Sequence, residues 1–369
     1  MAHPLDKITI EGFKSIRALK DFELCSLNVL IGGNGAGKSN FLEMFRLLRA
    51  MVDQNLSRYV LGGGGAYDFL FNGPKLTSAI SAHFVFGPNE YRFQLEPTAQ
   101  EKLLITLEEQ KYHLGGWQTI GKNDFESHLS IVKNRTGLSA RRGVGHYVHE
   151  SVSSWTFYHF HDTGKNAAMR RSEIVEDHRH FRADAGNIAP FLLALKNTSP
   201  RQYRDIVDSV RLVTPFFDDF VLESTSMGEK TVVKLAWRQV GSDYPMQPYH
   251  FSDGTIRFIC LATALLQPHP PSTILIDEPE LGLHPYAIEI LAEMIRSTAK
   301  RTQVIVSTQS PTLVDCFDPE HIVVVNREKG ASTFARLKPE ALVSWLDDYS
   351  LGDLWRKNVV EGGPVREPC

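Results

Sequence analysis

The stretch that leaves this chain least freedom is Ile31-Gly32-Gly33-Asn34-Gly35-Ala36-Gly37-Lys38-Ser39, which fits the pattern G-x-x-x-x-G-K-[ST] at every position. A loop of this kind turns backbone N–H groups toward a chain of phosphates, and a Cβ at the glycine positions would block that approach. Lys38 supplies a point charge for the β/γ-phosphates and Ser39 a hydroxyl for Mg2+. A helix starting near Ser39 aims its positive dipole end at the same anion. The flanks agree. Residues 24–31 form a short apolar run with β-branched members, and residues 40–50 carry Phe41, Leu42, Met44, Phe45, Leu47 and Leu48 at helical spacing. Strand, glycine loop, helix is the order that a nucleoside triphosphate site requires.

A second apolar strand, residues 273–278 (Thr-Ile-Leu-Ile-Asp-Glu), ends in two acids. On its own such a strand is commonplace. Paired with the upstream loop, it places Asp277 to hold Mg2+ and Glu278 to polarise an attacking water. About twenty residues earlier, Phe251-Ser252-Asp253-Gly254-Thr255 opens an apolar helix, so a hydroxyl and free N–H groups face an anion there. A plain helix cap is the alternative reading of that turn. After Glu278 come the turn Pro279-Glu280-Leu281-Gly282-Leu283-His284-Pro285, a helix over 287–298 and a strand over 303–307. Thr308-Gln309-Ser310-Pro311 then sits where polar groups sense a γ-phosphate, and a strand over 322–326 completes a parallel sheet.

The rest of the chain is plainer. Residues 7–13 alternate as a strand followed by a cationic turn at 14–17, and 79–86, 91–95 and 103–107 read as further strands of an antiparallel β lobe. Residues 123–184 are polar and histidine-rich. The pairs His159/His161 and His178/His180 lack a cysteine or carboxylate pattern that would complete a metal site. Arg141-Arg142 and Arg170-Arg171 read as a solvated face interrupted by Glu173, Glu176 and Asp177, with a DNA-facing loop as the other reading. Amphipathic helices are expected over 188–196 and 203–212 with Pro200 between them, and strand character returns at 221–222 and 231–237.

Net charge is −3, which gives no global pull toward nucleic acid or anionic lipid. No run of about 18 apolar residues occurs and the first residues lack the apolar core of a signal peptide, so the expected location is the cytoplasm, without membrane insertion. The four cysteines are scattered, two of them in apolar runs, and are expected as reduced, buried thiols. No stretch sustains apolar a and d positions over three or four heptads, which excludes a long coiled-coil arm.

In this order, the phosphate loop, Ser-Asp-Gly, Ile-Asp-Glu-Pro-Glu-x-Gly-Leu-His-Pro and Ser-Thr-Gln-Ser-Pro resemble the ABC-type ATPases of the RecF/SMC/OLD group, as does the opening Ile-Glu-Gly-Phe-Lys-Ser-Ile. More narrowly, the chain resembles the RecF-like predicted AAA-type ATPases of bacteria. The resemblance implies an α/β P-loop NTPase of the ABC-ATPase head type: a mixed sheet core, an antiparallel β lobe and a helical lobe. The head would span 1–369, with lobe I over about 1–122, an inserted segment over 123–249 and lobe II over about 250–369. Residues 158–162, 182–191 and 215–222 share the resemblance without a role that the residues themselves explain.

The resemblance also implies ATP and Mg2+ as cofactors and a homodimer that pairs head to tail on ATP. Gly32, Gly33, Asn34, Gly35, Ala36, Gly37, Lys38, Ser39 and Asn40 would hold the nucleotide, and Lys14 would approach it. Ser252 and Gly254 would reach it from the other copy, and the turn at Gly282, Leu283 and His284 would cross the seam. Ser39 and Asp277 would hold the metal, with Glu278 and Gln309 catalytic. Gln309 stands where many relatives carry a histidine, so turnover is expected to be slow. The tail after residue 326 is too short for an added nuclease domain. DNA repair or recombination is the function so implied, with DNA as partner; the alternative is an ATP-gated regulatory module of a phage-defence or toxin–antitoxin system acting on a protein effector. A small-molecule phosphotransferase and a transporter subunit rank below both.

Overall fold

A computed structural model describes residues 3–134, 143–360 and 362. Arg141, Arg142 and Cys369 lie outside the described residues. The architecture is mixed α/β, with two six-stranded sheets and a smaller lobe of helices and short strands.

The central sheet is built from sequence-distant strands in the order Ala331–Arg336, Ile322–Glu328, Leu27–Ile31, Gln303–Thr308, Thr273–Asp277 and Thr156–Tyr158. All neighbours pair parallel except the first two. Period-2 alternation divides their side chains between two cores. Leu30, Leu275, Ile305, Val323 and Val325 face one cluster, while Val29, Ile31, Ile274, Ile276, Val304, Val306 and Val324 face the other. Burial on both faces is why these strands read as unbroken apolar runs.

Against the first face lies the phosphate-loop helix Lys38–Val52, whose Phe41, Met44, Phe45, Leu47, Leu48 and Met51 are fully buried. Each such side chain contributes roughly 1.5–3 kcal/mol on burial. This helix also packs into the second sheet, which is antiparallel and ordered Ile16–Glu23, Lys7–Phe13, Ile80–Phe86, Asn89–Pro97, Leu103–Tyr112 and Gln118–Gly121.

One expectation needs correcting here. Residues 16–17 begin a strand, Ile16–Glu23, that folds back on Lys7–Phe13; the apolar run expected over 24–31 contributes only Leu27–Ile31 to the central sheet. The hairpin was hidden by a bulge. Ile8 pairs with Phe22 but Ile10 with Leu19, so an extra residue sits in the second strand and Leu19 and Phe22 fall three apart instead of two.

The second core face carries the helices Asp253–Leu266 and Pro285–Ala299, and on them the inserted helices Ile188–Thr198 and Pro200–Val213. Pro200 occupies the first position of its helix, where its missing N–H costs nothing. Two three-stranded sheets flank these helices. Of the described cysteines Cys260 is buried and Cys316 half-buried, whereas Cys25 is exposed against expectation; all three are free thiols. Among the described residues no helix is long and apolar enough to cross a membrane.

Candidate functional site

Three neighbouring parallel strands end together. In register, Asp277 pairs with Ser307, Ser307 with Leu30, and Thr308 with Ile31, so the phosphate loop, the two acids and the Thr-Gln-Ser turn all leave the sheet at its C-terminal edge. Ligands of open α/β sheets gather at that edge.

The loop's glycines answer to sterics. Gly37 has φ 115°, and a Cβ there would lie 2.1 Å from Ser332 Oγ and 2.8 Å from Ser15 Oγ. Those two hydroxyls brace the loop from outside it: Ser332 Oγ donates to Ala36 O (2.6 Å), and Asn40 Nδ2 donates to Ser15 Oγ (2.7 Å). Nothing in the local sequence marks Ser332, which arrives from the antiparallel edge strand some three hundred positions away. Lys38 is buried and folds across the loop, donating from Nζ to Gly32 O (2.6 Å) and Gly33 O (3.2 Å). Burial lowers its pKa, while Glu278, Asp277 and Glu280 act the other way, which places all three carboxylates within electrostatic reach of the ammonium.

The acidic end is equally organised. Asp277 Oδ1 accepts the Ser307 hydroxyl, and Gln309 Nε2 donates to Glu278 Oε1. Glu278 is held at φ 47°, a left-handed conformation uncommon for a residue with a side chain, while its N–H donates to Ser307 O at 2.9 Å. Glu280 was quoted in the sequence motif without a task, and the structure supplies one. Its buried Oε1 accepts both the Thr308 hydroxyl (2.6 Å) and the Gln309 N–H (3.1 Å), whereas Oε2 is buried without a partner among the described residues. Burial raises its pKa.

Ser252 caps the helix Asp253–Leu266 by accepting the Thr255 N–H at 3.0 Å, as the plain-cap reading has it. The turn remains exposed at Ser252 and is anchored from below. Arg170 donates to Pro248 O, Phe251 O and Asp253 Oδ1, and buried Arg257 donates to Phe160 O and Leu281 O. Gly254 lies so close to the next turn that a Cβ would stand 2.4 Å from Gly282 O. Beside Gly282, Leu281 and Tyr286 are exposed apolar groups.

Lys14, expected to approach the nucleotide, turns toward other protein groups. Its ammonium lies 3.7 Å from Glu43 and over the Phe69 ring. The His159 and His161 rings stand 3.9 Å apart just past the edge strand Thr156–Tyr158, with His161 Nε2 donating to Asp277 O at 3.2 Å. Burial, then His161 and Arg46, lower the pKa of His159. Among the described residues no group of three or more His, Cys, Asp or Glu could hold a metal by itself.

The residues fit ATP with Mg2+ on two observations. The Lys38 ammonium already satisfies itself on loop carbonyls where phosphate oxygens would be better partners, and the Gly35 position opens to free space. Asp277 and Ser39 offer the hard oxygen donors that Mg2+ takes alongside phosphates, and such a site needs no cage of three protein ligands.

Comparison with known proteins bears on the family and the fold. A family model described as "AAA domain, putative AbiEii toxin, Type IV TA system" matches residues 27–315. Among solved structures, the crystal structure of an SMC head bound to the C-winged helix domain of ScpA superposes with a TM-score of 0.58 at 15% identity, covering 92% of this chain and 99% of that one. An SMC head with an extended coiled coil, bound to the C-terminal domain of ScpA derived from Pyrococcus furiosus, gives 0.57 at 15% identity, covering 94% and 99%. The fold is therefore that of an SMC-type ABC ATPase head, with no coiled-coil arm among the described residues. No curated protein matches the chain by sequence.

Proposed function

The chain belongs to this AAA-domain family of ATPases, and from that premise we propose that two copies pair head to tail on ATP, each presenting Ser252 and Gly254 to the nucleotide held by residues 32–39 of the other. The observation that carries the reading is the shared C-terminal edge of the three strands, which gathers Lys38, Asp277, Glu278 and Gln309, while the Ser252 turn faces outward. Bound ATP with Mg2+ supplies the phosphoanhydride to be cleaved. Lys38 would exchange its carbonyl partners for phosphate oxygens, and Asp277 and Ser39 would hold the metal. Glu278 polarises the attacking water, and Gln309, hydrogen-bonded to Glu278, sets the angle of that carboxylate. The exposed Leu281 and Tyr286 beside Gly282 give the seam an apolar margin.

We place the output of this dimer in DNA metabolism, as a repair or recombination ATPase. The family's description favours a second reading, in which ATP-gated pairing controls a protein effector of a toxin–antitoxin or phage-defence system. Glu278→Gln separates them. This variant is expected to bind ATP, hydrolyse it far more slowly and accumulate dimers; light scattering with ATP and Mg2+, with and without duplex DNA at low salt, reads the outcome. A dimer that retains DNA and loses it steeply as salt rises supports the first reading. A dimer indifferent to DNA supports the second, and a Glu278→Gln protein that stays monomeric with ATP overturns the pairing itself.

A further inference from the structure

At the opposite end of the central sheet lies a cavity of about 1010 Å³, the size of a small-molecule site. It runs beside the edge strand Thr156–Tyr158, which pairs with Thr273–Asp277 on one side only, and it is bordered by Ser154 and by residues 268–271 at the N-terminal ends of these strands. The lining runs from residues 268–271 up to Tyr158, which pairs with Ile276, and it includes none of Gly32–Ser39, Asp277, Glu278 or Gln309, so the cavity and the nucleotide edge share no residue.

Its lining is built in three parts. Phe181, Phe191 and Leu195 make an apolar wall. The buried Tyr158 hydroxyl accepts Gln267 Nε2 at 3.0 Å, and among the described residues its own proton has no acceptor. The mouth carries His178, Arg179, His180 and His269 against one carboxylate, Glu150. Arg49 also reaches the cavity but is already paired with Asp53. Among the described residues the side chains of Arg179, His180 and His269 have no hydrogen-bond or ion-pair partner.

The turn that carries Arg179 between two histidines is held from behind. Asn187 is fully buried; its Nδ2 donates to Asp177 O (3.0 Å) and His180 O (2.8 Å), and its Oδ1 accepts the Arg182 N–H (2.9 Å). Arg182 is fixed in turn by Asp177, Asp184 and Glu173. His178 donates from Nδ1 to Val175 O. Much hydrogen bonding is thus committed to presenting Arg179 and its flanking imidazoles at a cavity mouth, and this is a structural task for residues 182–191 that their sequence did not disclose.

We propose that this cavity is a second ligand site, for a ring-bearing phosphomonoester of mononucleotide size, distinct from the ATP site. The ring lies on the Phe181 and Phe191 wall, the Tyr158 hydroxyl donates to a ring or sugar acceptor, and the phosphate meets Arg179, His180 and His269 at the mouth. The edge strand then leads directly from the ligand to His159 and His161 beside Asp277.

The test uses full-length Lys38→Ala protein, in which the phosphate loop is silenced, titrated calorimetrically with AMP, UMP, phenyl phosphate, adenosine and inorganic phosphate. The expected result is saturable one-to-one binding of at least one ring-bearing phosphomonoester, with adenosine and phosphate at least ten-fold weaker. Adding Arg179→Ala and His180→Ala, both exposed and outside the nucleotide machinery, is expected to weaken that binding at least ten-fold, and Tyr158→Phe to weaken it several-fold. Absence of saturable binding by all three phosphomonoesters up to millimolar concentration overturns the proposal, as does binding that Arg179→Ala with His180→Ala leaves unchanged. A Lys38→Ala protein that still binds ATP tightly would count against the phosphate-loop assignment, an outcome read separately from these.

Discussion

Glu280 joins the turn after the acidic strand to the turn that carries Gln309, and truncating it tests whether that join matters to hydrolysis. Glu280→Ala removes the acceptor of two hydrogen bonds, from the Thr308 hydroxyl at 2.6 Å and the Gln309 N–H at 3.1 Å. The Thr308 hydroxyl can rotate toward another acceptor but the half-buried backbone N–H cannot, and leaving a donor unpaired costs up to about 1–3 kcal/mol. Part of this is offset because the parent already buries Glu280 Oε2 without a partner. The net loss of stability is expected at the lower end of that range, about 1 kcal/mol, read as a lower urea midpoint with little change in slope. Because Gln309 holds Glu278, loosening its turn is expected to lower kcat by about 10–100-fold, or about 1.4–2.7 kcal/mol of barrier, with little change in KM.

Glu280→Gln keeps a carbonyl acceptor and is expected to recover most of kcat. Its pH dependence separates the roles further. Burial holds the Glu280 carboxyl above its ordinary value, so the folded protein binds that proton at pH values where the unfolded chain has released it. Stability therefore falls as pH rises from the ordinary carboxyl value through the raised folded one, and is flat above it. The amide variant lacks this proton, so its stability relative to the parent should climb over the same window. A Glu280→Ala protein with parental kcat would refute the coupling of Glu280 to hydrolysis.

Two further substitutions address the nucleotide site directly. Lys38→Ala is expected to lose ATP affinity by two orders of magnitude or more, measured by calorimetry, since its ammonium is the one buried cation bonded across the loop; affinity close to the parent's would contradict the site. Ser252→Arg should leave ATP binding by one chain intact while abolishing ATP-dependent dimers in sizing chromatography, because the exposed turn would carry a bulky cation into the seam. Dimers formed as readily as by the parent would show that this turn only caps its helix.

Local chemistry was readable from residues that act on their neighbours in sequence. The loop from Gly32 to Ser39 declares itself because backbone geometry, lysine charge and serine hydroxyl must follow one another within a few positions. The apolar strands over 273–277, 303–308 and 322–328 declare themselves because a parallel strand buried on both faces has little use for polar residues. The hairpin strand Ile16–Glu23 escaped because its bulge breaks the period on which such readings depend.

What the tertiary structure alone decided are the contacts that join distant segments. Ser332 braces Ala36, Glu280 grips the turn of Gln309, Arg257 ties the Ser252 helix to Leu281, and Asn187 locks the turn at a cavity beside the edge strand. Each is one ordinary polar residue whose partner is set by which strands and helices lie side by side. Periodicity and spacing record the geometry of a chain with itself over a few residues. The order of strands in a sheet is settled by the packing of whole faces, and the residues that depend on it acquire their roles only when those faces meet.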